Sequence, residues 1–454
     1  MGHGCFFQET LHSFYVNTFF WTPIEKKQLP LSSTINQIDK TMNLQLYAPS
    51  RASACIPLPA SKSISNRALL IAALCGGEPQ VVNPALCDDT AVMVDALSRD
   101  GSDMTIDVGA AGTAMRFLTA YFATRQGATV TLDGTERMRQ RPIGPLVDAL
   151  RTMGADITCL GKEGFPPLRI QGRVLHGGDM VMDGGVSSQF VSAVMMILPV
   201  VGGGTIRLTG DIVSEPYIHM TAAVMRKMGG QADVQAGRIV VGSGYEARDC
   251  IVEADWSAAA PWYAIAALLP GSTLSLKGLS ADSIQGDAQL AQLASRLGIA
   301  TRFDSCGATL DTSRFIDCCC SSFADMAATP DLALSWAVLL CLLERSFRMT
   351  GVRTLRLKES DRIEALREEL LRLGYVLKIE SNDAISWYGE RVPVPQAPPV
   401  IDSHGDHRIA MAFAPAAVRF PGLIITDADV VSKSYPTFWR HLKKAGFTLN
   451  KMER

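Results

Sequence analysis

One short pattern recurs six times along this chain: the basic or apolar end of a helix, then glycine, then a strand. The copies are ALSRDG to Gly101, ALRTMG to Gly154, VMRKMG to Gly229, LASRLG to Gly298, LLRLG to Gly374 and LKKAG to Gly446. Glycine in that place supplies the left-handed residue that commonly terminates a helix. Successive glycines lie 53, 75, 69, 76 and 72 residues apart, so five copies share a period and the first interval is contracted. Such a repeat makes each copy a supersecondary unit that buries its apolar face only against neighbouring copies.

Each unit also carries a second helix that is apolar nearly all round and therefore buried. These helices open from turns of small or polar residues at 62–67, 109–113, 186–189, 255–257, 330–331 and 406–408. Several run out into glycines, as at Gly76-Gly77, Gly202-Gly203-Gly204 and Gly271. The unit is then strand, buried helix, strand, surface helix, strand, and three copies in each half predict two similar α/β domains. Buried helices that run the same way put their positive ends on one side. If the halves face each other, up to six helix N-termini converge on one cleft and trap anions there. The short first interval is read as a loss of roughly 20 residues from the second unit, judged against the other intervals.

Charge sharpens that expectation. Of 454 residues, 43 are Lys or Arg and 45 are Asp or Glu, a net charge of -2, so no overall field holds nucleic acid or an anionic membrane. An anionic ligand must be gripped by cations concentrated locally. The length calls for two or three domains, and 47% hydrophobic residues suffice for sizeable cores. The apolar runs at 190–201 and 332–343 fall short of the ~20 residues that span a bilayer, and read as buried helices. The 11 cysteines are odd in number and include the run Cys318-Cys319-Cys320 but no CxxC pair. That argues against a disulfide framework or a zinc site and points to a reducing cytoplasm. Residues 1–41 stand apart, with Phe6, Phe7, Phe14, Tyr15, Phe19, Phe20 and Trp21 clustered and no arginine. They match neither a secretory signal nor a transit peptide, and are expected to be an extension outside a fold that opens with a strand over 44–47.

The candidate chemistry sits at the helix starts. LPASKSISNRALL (58–70) puts Ser61, Lys62 and Ser63 at a helix N-terminus, with Ser63 and Arg67 four apart on one face. GAAGTAMR (109–116) is a glycine turn that lets backbone N–H groups approach a ligand, although taken alone a tight structural turn is the commoner explanation. Arg137, Arg139 and Arg141 alternate before Pro142, and an extended segment would throw all three to one side. Ser187, Ser188 and Gln189 offer neutral donors, more than capping needs, with Ser214 and Tyr217 in the loop SEPY. Lys358 and Arg362 read as one helix face beside Glu359, the spacing of an ordinary salt-bridge ladder. Asp331 and Asp406 each open a buried helix, as a cap or as a base. His404 and His407 lack a third ligand nearby in sequence, so no metal is expected.

With these motifs in this order, together with RQRPIGPLVDAL, ATPD, LKESDR, GDHRIAMA and SKSYP, the chain from Met42 onward closely resembles the 5-enolpyruvylshikimate-3-phosphate synthase family. The resemblance implies the enolpyruvyl transferase fold, an inside-out α/β barrel of two domains, each with three βαβαββ units around buried helices. The chain would cross between domains near Pro57 and near 252–255, making one domain of 42–57 with 255–454 and the other of 58–254 around a substrate cleft. It further implies transfer of the enolpyruvyl group of phosphoenolpyruvate to the 5-hydroxyl of shikimate 3-phosphate, without a cofactor, in a cytoplasmic monomer. By motif match, Lys62, Ser63, Arg67, Ser187, Ser188, Gln189, Ser214, Tyr217, Asp331, Thr354 and Lys358 would hold shikimate 3-phosphate. Lys62, Gly112, Arg141, Gln189, Glu359, Arg362, His407, Arg408 and Lys433 would hold phosphoenolpyruvate. Asp331 is the candidate base at the hydroxyl and Glu359 the candidate acid at the methylene carbon, with Lys62 and Lys433 assisting. The chain departs from the family pattern at Ala60, Ala110 and Thr354, where glycine, asparagine and asparagine are usual, but every charged group is present.

The nearest rival is UDP-N-acetylglucosamine enolpyruvyl transferase, whose family places a cysteine before the RP helix; 133–140 contains none. A non-catalytic ligand-binding relative would be expected to have lost an acid or a base, yet Asp331 and Glu359 are in place. A P-loop kinase, raised by Lys62-Ser63, lacks the required glycines.

Overall fold

The structure is a computed structural model that describes residues 42–185, 187–313, 315 and 322–452. The extension 1–41, Val186 and the Cys318–320 run lie outside the described residues. The six surface helices span Asp88–Leu97, Gly144–Thr152, Glu215–Lys227, Gln289–Ser295, Arg362–Arg372 and Phe438–Lys444. Five of the six expected glycines adopt positive φ: Gly154, Gly229, Gly298, Gly374 and Gly446. Gly101 does not. Its helix stops at Leu97, and Ser98, still right-handed, closes the last turn with its N–H on Val94 and Asp95, so no left-handed residue is required.

The buried helices span Lys62–Leu74, Gly112–Thr124, Ser188–Ile197, Ala260–Leu268, Ala333–Leu342 and His407–Phe413. Every residue of Ala260–Leu268 is buried, as its uniformly apolar composition demands. Such packing stabilises by about 1.5–3 kcal/mol for each large apolar side chain enclosed.

The repeated unit is clearest between 103 and 171. Strand Asp103–Asp107 runs parallel to Thr129–Asp133 through a buried helix, and the hairpin Asp156–Cys159 and Leu168–Gln171 then pairs antiparallel beside it. Five four-stranded sheets follow this scheme. The sixth has two strands, Val81–Val82 and Cys250–Ile251. The residues missing from the contracted interval are therefore the closing hairpin of the first unit, and not part of the second as the spacing predicts. Glycine spacing could not separate the two, because the interval spans the end of one unit and the start of the next.

Two first strands are exchanged. Ser53–Pro57 precedes the first buried helix but pairs with Thr273–Lys277 of the fourth unit, whereas Cys250–Ile251 precedes the fourth buried helix but pairs with the first unit. Where they pass, Ser61 N–H donates to Glu253 O and Asp255 N–H donates to Pro59 O, both at 2.8 Å. The opening strand Asn43–Tyr47 lies between Leu423–Thr426 and Thr448–Met452 and completes the last sheet. Buried apolar side chains separate into two cores, one drawn from Ala60–Val252 and the other from Leu44–Ile56 together with Ala254–Leu449.

Candidate active site

Between the two cores lies a cleft lined from both sides. Its walls carry Lys62, Ser63, Arg67, Gly112, Arg141, Ser187, Ser188, Gln189, Ser214, Tyr217, Asp331, Thr354, Lys358, Glu359, Arg362, His407 and Arg408, every substrate-site residue that the resemblance implies except Lys433. Lys433 reaches the same place from behind, 3.5 Å from Glu359 and donating to Ala110 O at 2.7 Å. Residues at five of the six buried-helix starts line the cleft, so N–H groups and cations meet there. The fourth start is set back: Ser257 meets the cleft only through Arg408, whose Nη2 donates to its hydroxyl at 3.3 Å.

The lining holds seven Lys or Arg side chains and two carboxylates. Arg362 organises the carboxylates. It donates to Asp331 at 2.8 Å, to Glu359 at 2.9 Å and to Asp406 at 2.7 Å, while itself 1% exposed. Burial pushes its guanidinium down, but the three carboxylates more than reverse that. Asp331 also lies 3.4 Å from Lys358 and 3.2 Å from Arg408. Burial pushes its carboxyl up, yet Arg408, Lys358 and Arg362 hold it well below the usual range. Glu359, likewise raised by burial, is held down by Arg362, Lys433 and Arg141. Lys62 donates to Asp89 at 2.8 Å; burial disfavours its charge, but Asp89 and Glu359 keep it raised. His407 is pushed well below its usual value by burial and by Lys62 and Arg408, and is neutral.

On the other wall, Arg67 is 2% exposed and donates to Thr221, Ser192 and the carbonyl of Ser63. Burial pushes it down to about 10. Gln189 donates to Thr113 at 3.1 Å. Thr354 Oγ1 is buried without a hydrogen-bond partner among the described residues.

Three local expectations change. Arg137, Arg139 and Arg141 do not share a side: Glu136–Arg139 is a short helix, which turns Arg139 out to Asp133 while Arg137 and Arg141 reach across the cleft to the carbonyls of Arg356, Lys358 and Leu357. Lys358 is not on the helix with Arg362, because Asp361 caps that helix by accepting from Ile363 and Glu364; the two cations converge on Asp331 through a turn instead. Asp331 caps nothing and faces cations, whereas Asp406 accepts from Arg408 N–H as a true cap. Sequence reasoning missed Arg116, which lines the cleft, and Asp89, the partner of Lys62. Arg116 stands inside the motif GAAGTAMR, one helical turn beyond Gly112, and that spacing could have found it. Asp89 carries no such signal.

Outside the cleft, Glu368, Glu369 and His404 bring their ligand atoms within 4.8 Å of one another. Glu369 already accepts from His404, Asp402 N–H and Arg372, so its oxygens are taken and a guanidinium adjoins the cluster.

The family model for EPSP synthase (3-phosphoshikimate 1-carboxyvinyltransferase) matches residues 46–104 and 98–442. The chain belongs to the EPSP synthase family. The 3-phosphoshikimate 1-carboxyvinyltransferase of Bacteroides fragilis is 49% identical over 409 residues, covering 89% of this chain and 98% of that one. The enzyme of that name from Syntrophobacter fumaroxidans is 37% identical over 419 residues, covering 86% and 96%. Among solved structures, EPSP synthase from Acinetobacter baumannii superposes with a TM-score of 0.69 at 21% identity, covering 91% of this chain and all of that one. An enolpyruvyl transferase from Streptomyces tendae gives 0.70 at 15% identity, covering 91% and 99%. These two likenesses carry the enolpyruvyl transferase fold, and the described architecture of small sheets around buried helices agrees with it.

Proposed function

We propose that this chain transfers the enolpyruvyl group of phosphoenolpyruvate to the 5-hydroxyl of shikimate 3-phosphate and releases phosphate. The observation that carries it is the cleft itself: seven cations around two ionised carboxylates, in a molecule with a net charge of -2. Both substrates are multiply anionic, and such a site is built for two anions held side by side.

The Ser187, Ser188, Gln189 and Arg67 wall takes shikimate 3-phosphate with Ser63, Ser214, Tyr217, Thr354 and Lys358; Arg141, Arg362, Arg408 and Lys433 take phosphoenolpyruvate with Gly112 and His407. The 5-hydroxyl oxygen bonds to C2 of phosphoenolpyruvate and its proton passes to Asp331, while C3 gains a proton from Glu359. The tetrahedral adduct then returns a proton from C3 to the Glu359 carboxylate as the C2–O bond to phosphate breaks, and the departing phosphate takes up the proton that Asp331 accepted. Cations hold both carboxylates ionised in the empty cleft. Substrate anions compete for those cations, which raises Asp331 into a useful base and lets Glu359 take up the proton it delivers. Lys433, 3.5 Å from Glu359, is placed to supply it.

Buried side chains support a division into 42–57 with 255–454 and 58–254 to within about two residues, since Leu58 and Ala254 pack with the first of these. Free thiols at all seven described cysteines suit a cytoplasmic enzyme, which we take to be a monomer. No helix among the described residues is long and apolar enough to cross a membrane. The deciding experiment is release of inorganic phosphate from phosphoenolpyruvate with shikimate 3-phosphate or UDP-N-acetylglucosamine as acceptor. Turnover with the first alone is expected; turnover only with the nucleotide sugar would overturn the proposal. No cysteine lines the cleft among the described residues, which favours the first acceptor.

A further inference from the structure

Behind Arg408 a second carboxylate is buried that the chemistry above does not use. Asp287, 3% exposed, sits in the turn Gly286–Ala288 and accepts a hydrogen bond from the Ser257 hydroxyl through Oδ2. Its Oδ1 is buried with no hydrogen-bond partner among the described residues. The Ser257 oxygen in turn accepts from Arg408 Nη2 at 3.3 Å, and the same Nη2 lies 3.2 Å from Asp331 Oδ2. A hydroxyl has one proton, and here it is committed to Asp287, which leaves the oxygen lone pairs to Arg408. The set-back fourth helix start therefore enters the site as a chain: Asp287, Ser257, Arg408, Asp331.

We infer that Asp287 is a positioning residue for donor binding: through Ser257 it holds the Arg408 guanidinium in place, and its protonation releases that arginine. The inference rests on the reading that Arg408 grips phosphoenolpyruvate. A proton from water on Asp287 turns it from acceptor to donor. With the proton on Oδ2, the acid O–H donates to Ser257 Oγ, the serine hydroxyl turns its own proton away from Asp287 and so no longer offers both lone pairs to Arg408, and a negative charge beside the guanidinium is lost. The groups that face Asp287 are Arg408, Asp331 and Asp255 on its own domain and Tyr217 from the helix Glu215–Lys227 of the other. Burial, opposed by Arg408 and Ser257 and reinforced by Asp331 and Asp255, pushes the Asp287 carboxyl up to about 6. The switch thus falls inside the working range of an ordinary enzyme.

The test compares kcat/KM for phosphoenolpyruvate in the native protein, Asp287→Asn and Ser257→Ala between about pH 5 and pH 8, a span that brackets the carboxyl's titration. Taking the ratio of native protein to variant cancels the ionisation of the substrates' own phosphates. For Asp287→Asn, whose amide mimics the protonated acid, the ratio should be near one at the acid end. It should climb through about pH 6 to roughly ten- to a hundredfold, the range for losing a hydrogen bond to a charged group. The rise should appear in KM more than in kcat, and Ser257→Ala should reproduce it even if the asparagine variant fails to fold. A ratio that stays flat with pH in both variants would overturn the inference. Infrared difference spectra of the ligand-free protein separate this from failure of the enolpyruvyl reading. A protonated-carboxyl band that grows below about pH 6 in the native protein and not in Asp287→Asn supports the titration whatever the enzyme turns over, and its absence sinks it.

Discussion

Arg362 touches Asp331, Glu359 and Asp406 at once, so its charge sets the state of both candidate catalytic carboxylates. Replacing Asp331 by Asn or Glu359 by Gln should leave the protein folded and able to bind both substrates. Turnover should fall about 10²–10⁴-fold, the usual worth of a general acid or base, as read by steady-state phosphate release. Near-normal turnover in either variant would remove that residue from its role. His407 gives a prediction about stability. Its folded pKa lies below the unfolded value of 6.5, so below that pH the unfolded chain binds a proton that the folded chain refuses. Stability contributed by the neutral ring is present above about pH 6.5 and declines by up to about 1.4 kcal/mol per pH unit below it. Denaturant unfolding at pH 7 and pH 5 should show a smaller acid loss for His407→Gln than for the native protein.

At the scale of elements, the six glycine-ended helices and six buried helices were legible because each carries its own local signal: an apolar surface, a small-residue start and a terminating glycine. Gly101 and the contracted interval were misread for the same reason, since spacing reports where a unit is short without saying which strand is gone. The start of the second buried helix is closely packed. A Cβ on Gly112 would stand 2.4 Å from Arg141 Nη1, but the obstacle is the mobile end of a side chain and not backbone. Gly112→Ala should therefore fold normally, with an unchanged melting temperature, and raise KM for phosphoenolpyruvate by displacing Arg141. A large loss of stability instead would mean the helix start itself had broken. Asp361 caps the helix Arg362–Arg372, so Asp361→Ala should cost about 1 kcal/mol of unfolding free energy.

For the whole molecule, the domains also meet directly at the rim of the cleft. Ser432 donates to Asp88, Ser214 N–H donates to Ala327 O, and Arg137 reaches the carbonyls of Arg356 and Lys358. At Gly286 a Cβ would lie 2.4 Å from Cβ of Pro216 in the other domain, a clash that only backbone movement can relieve. Gly286→Ala should wedge the cleft open, seen as a larger radius of gyration by small-angle scattering and as weaker binding of both substrates. An unchanged radius would show that the seam adapts locally. The sequence by itself determined the units, the two-domain α/β class, the cation-rich helix starts and the family, because helix periodicity, capping and charge type are local properties. Only the tertiary structure decided that strands Ser53–Pro57 and Cys250–Ile251 trade places, that Asp89 pairs with Lys62, that Lys358 leaves its helix to meet Arg362 at Asp331, and that Asp287 stands behind Arg408. Those pairings join residues tens to hundreds of positions apart, and only the packing of distant elements, within one domain for the side-chain pairs and between domains for the exchanged strands, brings them within hydrogen-bond reach.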